Sequence, residues 1–309
     1  PASPSVLAMP ISSPAQVSSP DSQFQSALRE AVRGNVSFDP VIRGIFATDA
    51  SHYQMTPQCV VEPRDRQDAA AAHRVASQFN MPITPRGGAT ALSGQTFGRG
   101  MVLDLSRCLN QVLEINAEEG WARVEPGVIR DQLNAQLRPL GLQFAPDPAT
   151  SSGATIAGMI GNNSSGTRSI VYGKTIDHTI SCTVALADGQ IVELAECDEA
   201  RWEAKANQRD REGELYRGVQ QIIAANHDEI LARYPRVMRR VSGYNLDEFV
   251  DGAGYTGPIG PRAERNAGHR PWNLSNLIVG SEGTLATLLE AKIRLTPLPA
   301  ATAVCVVHF

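Results

Sequence analysis

The chain has 309 residues, 42% hydrophobic and 19% charged, the balance of a globular chain with apolar material for one large core or two modest ones. A formal net charge of -4 provides no basic field for a polyphosphate backbone, which excludes nucleic acid as the expected partner. No apolar run approaches the roughly eighteen residues that cross a bilayer, and no basic stretch leads into a hydrophobic one near the N-terminus, so a cytoplasmic chain without a membrane span is expected.

Cys59, Cys108, Cys182, Cys197 and Cys305 are scattered without a CxxC pair, and the histidines lack any HxxxH spacing, so neither a disulfide framework nor a metal site is expected. Residues 1–20, rich in Pro, Ser and Ala, are expected as a flexible arm, and 21–56 as a lead-in segment. From Gln58 the pattern becomes regular. Cys59–Pro63 predicts a strand, Asp65–Phe79 an Ala-rich helix and Met81–Pro85 a second strand, a β-α-β unit ending in a glycine loop. Met101–Leu105, Val112–Ile115 and Ala122–Pro126 predict short strands, and Val128–Leu140 an amphipathic helix. Ser181–Leu194 predicts a hairpin whose Asp188-Gly189 pair suits a two-residue type I′ turn. Gly213–Arg233 carries Leu215, Val219, Ile222, Ile223, Ile230 and Leu231 near helical spacing, as for a helix facing the core. Residues 251–272 predict a long irregular insertion, after which 274–297 returns to strand-like character.

Three segments concentrate small residues. The first, Pro85, Arg86, Gly87, Gly88, Ala89, Thr90, Ala91, Leu92, Ser93, Gly94 and Gln95, follows a predicted strand. Small side chains let consecutive amides approach an anion, Gly87, Gly88 and Gly94 can take positive φ, and Thr90 and Ser93 add hydroxyl donors. An ordinary tight loop is the alternative. The second runs from Pro146, Asp147, Pro148, Ala149 and Thr150 through Ser152, Gly153, Thr155, Ile156 and Gly158 to Asn162, Asn163, Ser164 and Gly166. It is almost uncharged and suits close packing against a flat neutral ligand; against a flexible linker stand Ile156, Met159 and Ile160, which favour burial. The third, Gly280-Ser281-Glu282-Gly283-Thr284 behind a predicted apolar strand, is compatible with a strand corner or a ligand contact. The string Gly252-Ala253-Gly254-Tyr255-Thr256-Gly257 matches GxGxxG, but Pro258 and Pro261 prevent the helix that a dinucleotide-binding βαβ unit requires.

In this order the three segments resemble the FAD-binding domain of the vanillyl-alcohol-oxidase superfamily, the PCMH-type fold, over nearly all of 21–299. Within it the chain is most similar to the D-lactate, glycolate and D-2-hydroxyglutarate dehydrogenase branch, through Thr48-Asp49-Ala50-Ser51, the glycine loop, Tyr172-Gly173 with Asp177, Ser242-Gly243-Tyr244-Asn245-Leu246 and the Gly280–Leu285 run. The Asn162–Gly166 run and the insertion look closest to large bacterial enzymes that fuse the flavin domain to an iron-sulfur domain.

The resemblance implies an α+β fold of two α/β subdomains holding FAD between them: a small β-α-β unit at 57–110 and a larger mixed or antiparallel sheet with helices at 111–300, with 301–309 opening a cap domain. It implies that Arg86–Gly94 holds the pyrophosphate through backbone amides. Pro146–Gly166 then lines the rest of the cofactor, Pro126 and Gly127 lie along the same cleft, and Gly280, Glu282, Gly283 and Thr284 sit near the ring. Where relatives tether flavin through a histidine in the glycine loop, Ala89 and Thr90 stand here, which implies non-covalent FAD. The implied reaction passes hydride from C2 of a D-2-hydroxy acid to flavin N5, with a base and carboxylate-binding cation supplied largely by the cap and an iron-sulfur or quinone-linked acceptor. Arg239, Arg240, Tyr244 and Asn245 are candidates on the flavin-domain side of a substrate pocket, with a solvated arginine pair as the alternative. The other reading is a flavin-binding or electron-transfer subunit whose active site partner chains complete.

Overall fold

The computed structural model describes residues 21–255 and 271–308. The expected arm, most of the expected insertion and the last two positions of the Gly252–Gly257 string lie outside the described residues.

Local chemistry sets the first elements. Asp21, Asp39 and Asp65 each accept backbone N–H bonds at the starts of helices α1 (Ser22–Ala31), α2 (Pro40–Ile45) and α3 (Arg66–Gln78). Strands β1 (Asn35–Ser37), β2 (Cys59–Glu62), β3 (Ile83–Arg86) and β4 (Met101–Asp104) form one sheet in the order β1-β2-β4-β3. Both β2 and β3 run parallel to β4. The expected lead-in segment therefore supplies the edge strand β1, antiparallel to β2. Every residue of β2 and β4 is buried, as central strands of a covered sheet require. Phe24 and Leu28 of α1 and the alanine face of α3 close one side of that sheet.

The second sheet is antiparallel, in the order β5 (Val112–Asn116), β6 (Trp121–Val124), β12 (Thr287–Arg294), β8 (Thr179–Ala185), β9 (Ile191–Leu194). Two-residue ladders join β7 (Leu142–Gln143) to β13 (Thr296–Pro297) and β10 (Glu196–Cys197) to β11 (Trp272–Asn273). One face of this sheet packs on α4 (Arg130–Leu137), α5 (Ile156–Gly161), α8 (Glu199–Ala206) and α9 (Arg211–Arg233), with Leu133, Met159, Trp202 and Tyr216 in a continuous core. The other face is polar: Arg123 pairs with both Glu114 and Glu290 at 3.3 Å. The chain therefore has the mixed α+β architecture that the resemblance implies.

Three local expectations are corrected. The 181–194 hairpin closes through a three-residue loop: Gly189 donates to the Leu186 carbonyl, and Gly189 but not Asp188 has positive φ, so the turn is not type I′. In α9, which begins at Arg211, the buried face runs through Tyr216, Ile223 and Ile230, and Ile222, one residue off that face, is 49% exposed. The apolar run before Gly280 is not a strand but a helical turn, Ser275–Ile278, started by Asn273 Oδ1 accepting from Ser275 N at 2.9 Å. Residues 301–308 are exposed and belong to no ladder.

The two sheets meet along a seam at which Ala185 and Leu289 of the second sheet enter the core of the first. His73 of α3 lies in it, Nε2 at 2.8 Å from Thr287 Oγ1. Burial lowers its pKa to about 4, against a smaller upward pull from Asp188. Above the ordinary histidine value of 6.5 the ring is neutral folded or unfolded, and the full stability is present. Between 6.5 and about 4 the unfolded chain takes up the proton and the folded chain does not, so stability falls with pH, by roughly 3 kcal/mol across the window. Urea unfolding at a series of pH values checks this: His73→Gln should lose stability less steeply than the parent on acidification, and parallel profiles would exclude titration of His73 at the seam.

Candidate functional site

A cleft opens where the β3–β4 loop, α5 and the turn before β12 converge, enclosing about 920 Å3 when its open mouth is counted. Backbone bonds dock the parts on one another. The start of α5 is held by Ile156 N donating to Val128 O at 2.8 Å and Ala157 N to Pro126 O at 3.0 Å. Its end receives the turn, Gly280 N donating to Ile160 O at 2.9 Å and Glu282 N to Gly161 O at 3.0 Å.

The glycine loop lies tight against the start of α5. A Cβ on Gly87 would fall 2.2 Å from Thr155 Oγ1, and one on Gly88 would fall 2.0 Å from the Gly153 carbonyl oxygen. Close approach, not turn geometry, therefore requires these glycines: Gly94 has φ +81°, but the other left-handed residue of the loop is Ala89, at φ 53°. From Gly87 to Gln95 no amide donates to another protein group among the described residues. Consecutive unpartnered amides along a cleft wall suit the oxygens of an anion.

The loop is braced from behind. Arg86 Nη1 donates to Thr48 O at 2.8 Å and to Phe46 O at 3.3 Å, its guanidinium lies over the Phe46 ring, and burial draws its pKa below the ordinary value against the pull of Asp104 and Asp49. Ala50 N donates to Ala89 O at 3.1 Å. Burial pushes the Asp49 carboxyl up, but bonds from Ser51 and Thr96 outweigh it and hold the group below its usual range. Thr48–Ser51 is thus a support for the loop. Gln95 Nε2 reaches Asn162 Oδ1 at 3.4 Å, while Gln95 Oε1 is buried with no donor among the described residues, a deficit of about 1–3 kcal/mol unless something entering the cleft donates to it.

Of the residues expected from sequence, Pro85–Ala91, Gln95, Thr150, Thr155, Gly158, Asn162, Ser164, Glu282 and Gly283 line the cleft. Others lie behind it or beside it. Gly94 packs towards Phe97 and Tyr53, and Ser93 is exposed. Gly127 is a glycine because the Leu105 and Leu109 carbonyls leave no room for a Cβ. Pro146 O accepts from Arg130 Nε, Asp147 pairs with Arg168 at 3.1 Å, and Gly166 sits against the Asp147 backbone. Ile156 is in the core, and buried Asn163 accepts from Ile176 N. Pro126, Pro148, Ala149, Ser152, Gly153, Gly280 and Thr284 flank the lining residues without joining them. Missed outside the three segments were Thr96, Leu105, Ile278, Ala286 and Leu288, most of them apolar residues at element ends. A search for apolar residues next to glycine turns was the signal available for them.

The four substrate-side candidates separate into pairs. Arg240 donates to Ser242 O at 2.6 Å and Asn245 Oδ1 at 3.0 Å and forms an ion pair with Asp247; Asn245, 1% exposed, donates to Val279 O at 2.6 Å and Asn276 O at 3.0 Å. These two side chains are committed to the protein interior, contrary to the expected donor fork for a substrate carboxylate. Arg239 is exposed and donates to Thr167 O, and half-exposed Tyr244 bonds Thr284 Oγ1 at 2.8 Å beside the glycine turn.

Comparison with known proteins places these features in context. Residues 57–195 match the FAD binding domain family. A D-2-hydroxyglutarate dehydrogenase of Pseudomonas putida is 38% identical over 284 residues, covering 90% of this chain and 26% of that protein. A glycolate oxidase subunit of Bacillus subtilis is 37% identical over 273 residues, covering 87% of this chain and 44% of the subunit. Among solved structures, an alkyldihydroxyacetonephosphate synthase superposes with a TM-score of 0.60 over 91% of this chain and 42% of its own, at 19% identity, a likeness of fold. The chain spans about a quarter of the length of the D-2-hydroxyglutarate dehydrogenases it matches.

Proposed function

With residues 57–195 belonging to the FAD binding domain family, we propose that this chain is the FAD-holding part of a flavin-dependent oxidoreductase that oxidises a D-2-hydroxy acid of the D-lactate, glycolate or D-2-hydroxyglutarate class. The observation that carries the reading is the run of unpartnered amides from Gly87 to Ala91 along the cleft wall. They offer a diphosphate a neutral cradle that needs no lysine. The relatives named for hydroxy-acid oxidation support the substrate class.

Bound there, FAD supplies the hydride acceptor of the reaction. The chain's own part is to bind and orient. Gly87–Ala91 provides donors for the diphosphate, the α5 segment and the Glu282–Gly283 turn form the walls, and Arg86 fixes the loop through the Phe46 and Thr48 carbonyls. Among the described residues neither histidine nor cysteine lines the cleft, which supports a non-covalent cofactor. Assignment of the base and the principal carboxylate clamp to a cap domain is part of the same proposal; among the described residues the cleft lining includes no histidine or lysine. An iron-sulfur or quinone-linked acceptor domain or subunit is part of the same proposal, as is the division at 57–110 and 111–300, supported by the two separate sheets. No helix of the described residues is long and apolar enough to cross a membrane. A cytoplasmic setting completes the reading, supported by five cysteines that all stand as free thiols.

The test is an absorption spectrum of the purified chain before and after heat release of its ligand, followed by anaerobic addition of D-2-hydroxyglutarate, D-lactate and glycolate. Released FAD is expected; bleaching by one acid would name the substrate. Flavin without bleaching would favour a cofactor-holding part that turns over only with partners, and a chain that cannot be loaded with FAD would refute the proposal.

A further inference from the structure

We propose that Gln95 and Asn162 form a carboxamide pair that reads the heteroaromatic edge of the bound dinucleotide, a specificity-determining role that rests on the cleft holding FAD. The two residues come from opposite sides of the site. Gln95 ends the glycine loop that leaves the first sheet, and Asn162 closes α5, which belongs to the core of the second. Gln95 Nε2 and Asn162 Oδ1 meet at 3.4 Å, and both residues line the cleft.

That contact uses one donor and one acceptor and leaves the complementary two. Gln95 Oε1 is buried and receives no bond, and Asn162 Nδ2 makes none among the described residues. An amide oxygen beside an amide NH2 matches a planar edge that sets a donor beside an acceptor. The diphosphate has no donor to offer. FAD carries two edges of the required kind: the flavin pyrimidine, with N3–H between two carbonyls, and adenine, with its 6-amino group beside N1. A site whose buried oxygen needs a donor rejects an analogue lacking one, which makes the pair a selector and not merely a wall.

The experiment measures calorimetric affinity of the full apoprotein for FAD, for N3-methyl-FAD, which removes the flavin donor, and for 1,N6-etheno-FAD, which removes the adenine donor. The parent protein should bind one analogue at least about tenfold more weakly than FAD. A penalty on the methylated compound assigns the flavin edge, and one on the etheno compound the adenine edge. Gln95→Met should reduce that discrimination to within about twofold, whereas Gln95→Glu, which keeps acceptor oxygens, should retain it. Asn162→Leu provides a second route to the same loss if the methionine variant does not fold. Equal binding of all three ligands by the parent, or full discrimination by folded Gln95→Met, would overturn the pairing while leaving the FAD cleft standing. Failure of the parent to bind FAD at all would instead remove the functional reading and this inference with it.

Discussion

Gly88→Ala should weaken FAD binding by at least about a hundredfold, roughly 2.7 kcal/mol, although the substitution adds a single methyl group. The added Cβ would stand 2.0 Å from the Gly153 oxygen and 3.2 Å from its carbon, and both are backbone atoms that no rotamer change can clear. Gly88 does not have positive φ, so the effect comes from contact and not from backbone strain. Relief requires the loop to move off the α5 segment, carrying its row of amides away from the cleft. Gly153→Ala is the matched control. Its Cβ would meet Thr90 Cγ2 at 3.4 Å, an ordinary contact, and FAD affinity should stay within about threefold. Titration of both apoproteins with FAD gives the comparison; equal affinities would show that the glycine loop is not the diphosphate cradle. Gly88→Glu should bind still more weakly, because it adds negative charge beside the same anion.

The contrast between Gly87, Gly88 and Gly127 explains what was legible. All three glycines stand out in the sequence, but in the first two the missing Cβ admits the α5 segment, and in the third it admits the Leu105 and Leu109 carbonyls behind the cleft. Which neighbour a glycine makes room for is a long-range fact. The same limit concealed Leu105 and Leu288, ordinary apolar residues brought to the cleft by the ends of β4 and β12. Segments rich in small residues were legible because few other uses explain a nearly uncharged run with buried Ile156, Met159 and Ile160. Apolar periodicity located α9 but misplaced Ile222, since adjacent Ile222 and Ile223 point about 100° apart on a helix and spacing alone does not say which of the two faces the core. Arg240 and Asn245 looked available for a ligand because sequence records polar groups without recording which of their partners are internal.

That last point yields a second large effect: Asn245→Ala should destabilise the chain by about 3 kcal/mol. The side chain ties Asn276, inside the helical turn Ser275–Ile278, to Val279, which follows it, and accepts from Arg240, whose ion pair with Asp247 is almost enclosed. Removing it takes a hydrogen-bonding partner from two buried carbonyls and one guanidinium at once, with no water-accessible replacement at 1% exposure. The consequence extends to the cleft. The Gly280 backbone packs where a Gly243 Cβ would lie 2.5 Å from its oxygen, so loosening this corner also loosens the Glu282–Gly283 wall. Urea unfolding should therefore report the loss in the apoprotein as well as with FAD bound. Tyr244→Phe removes one half-exposed bond to Thr284 and should cost less than about 1 kcal/mol. A variant Asn245→Ala with parental stability, altered only in KM for a hydroxy acid, would place Asn245 in substrate recognition and refute the internal role.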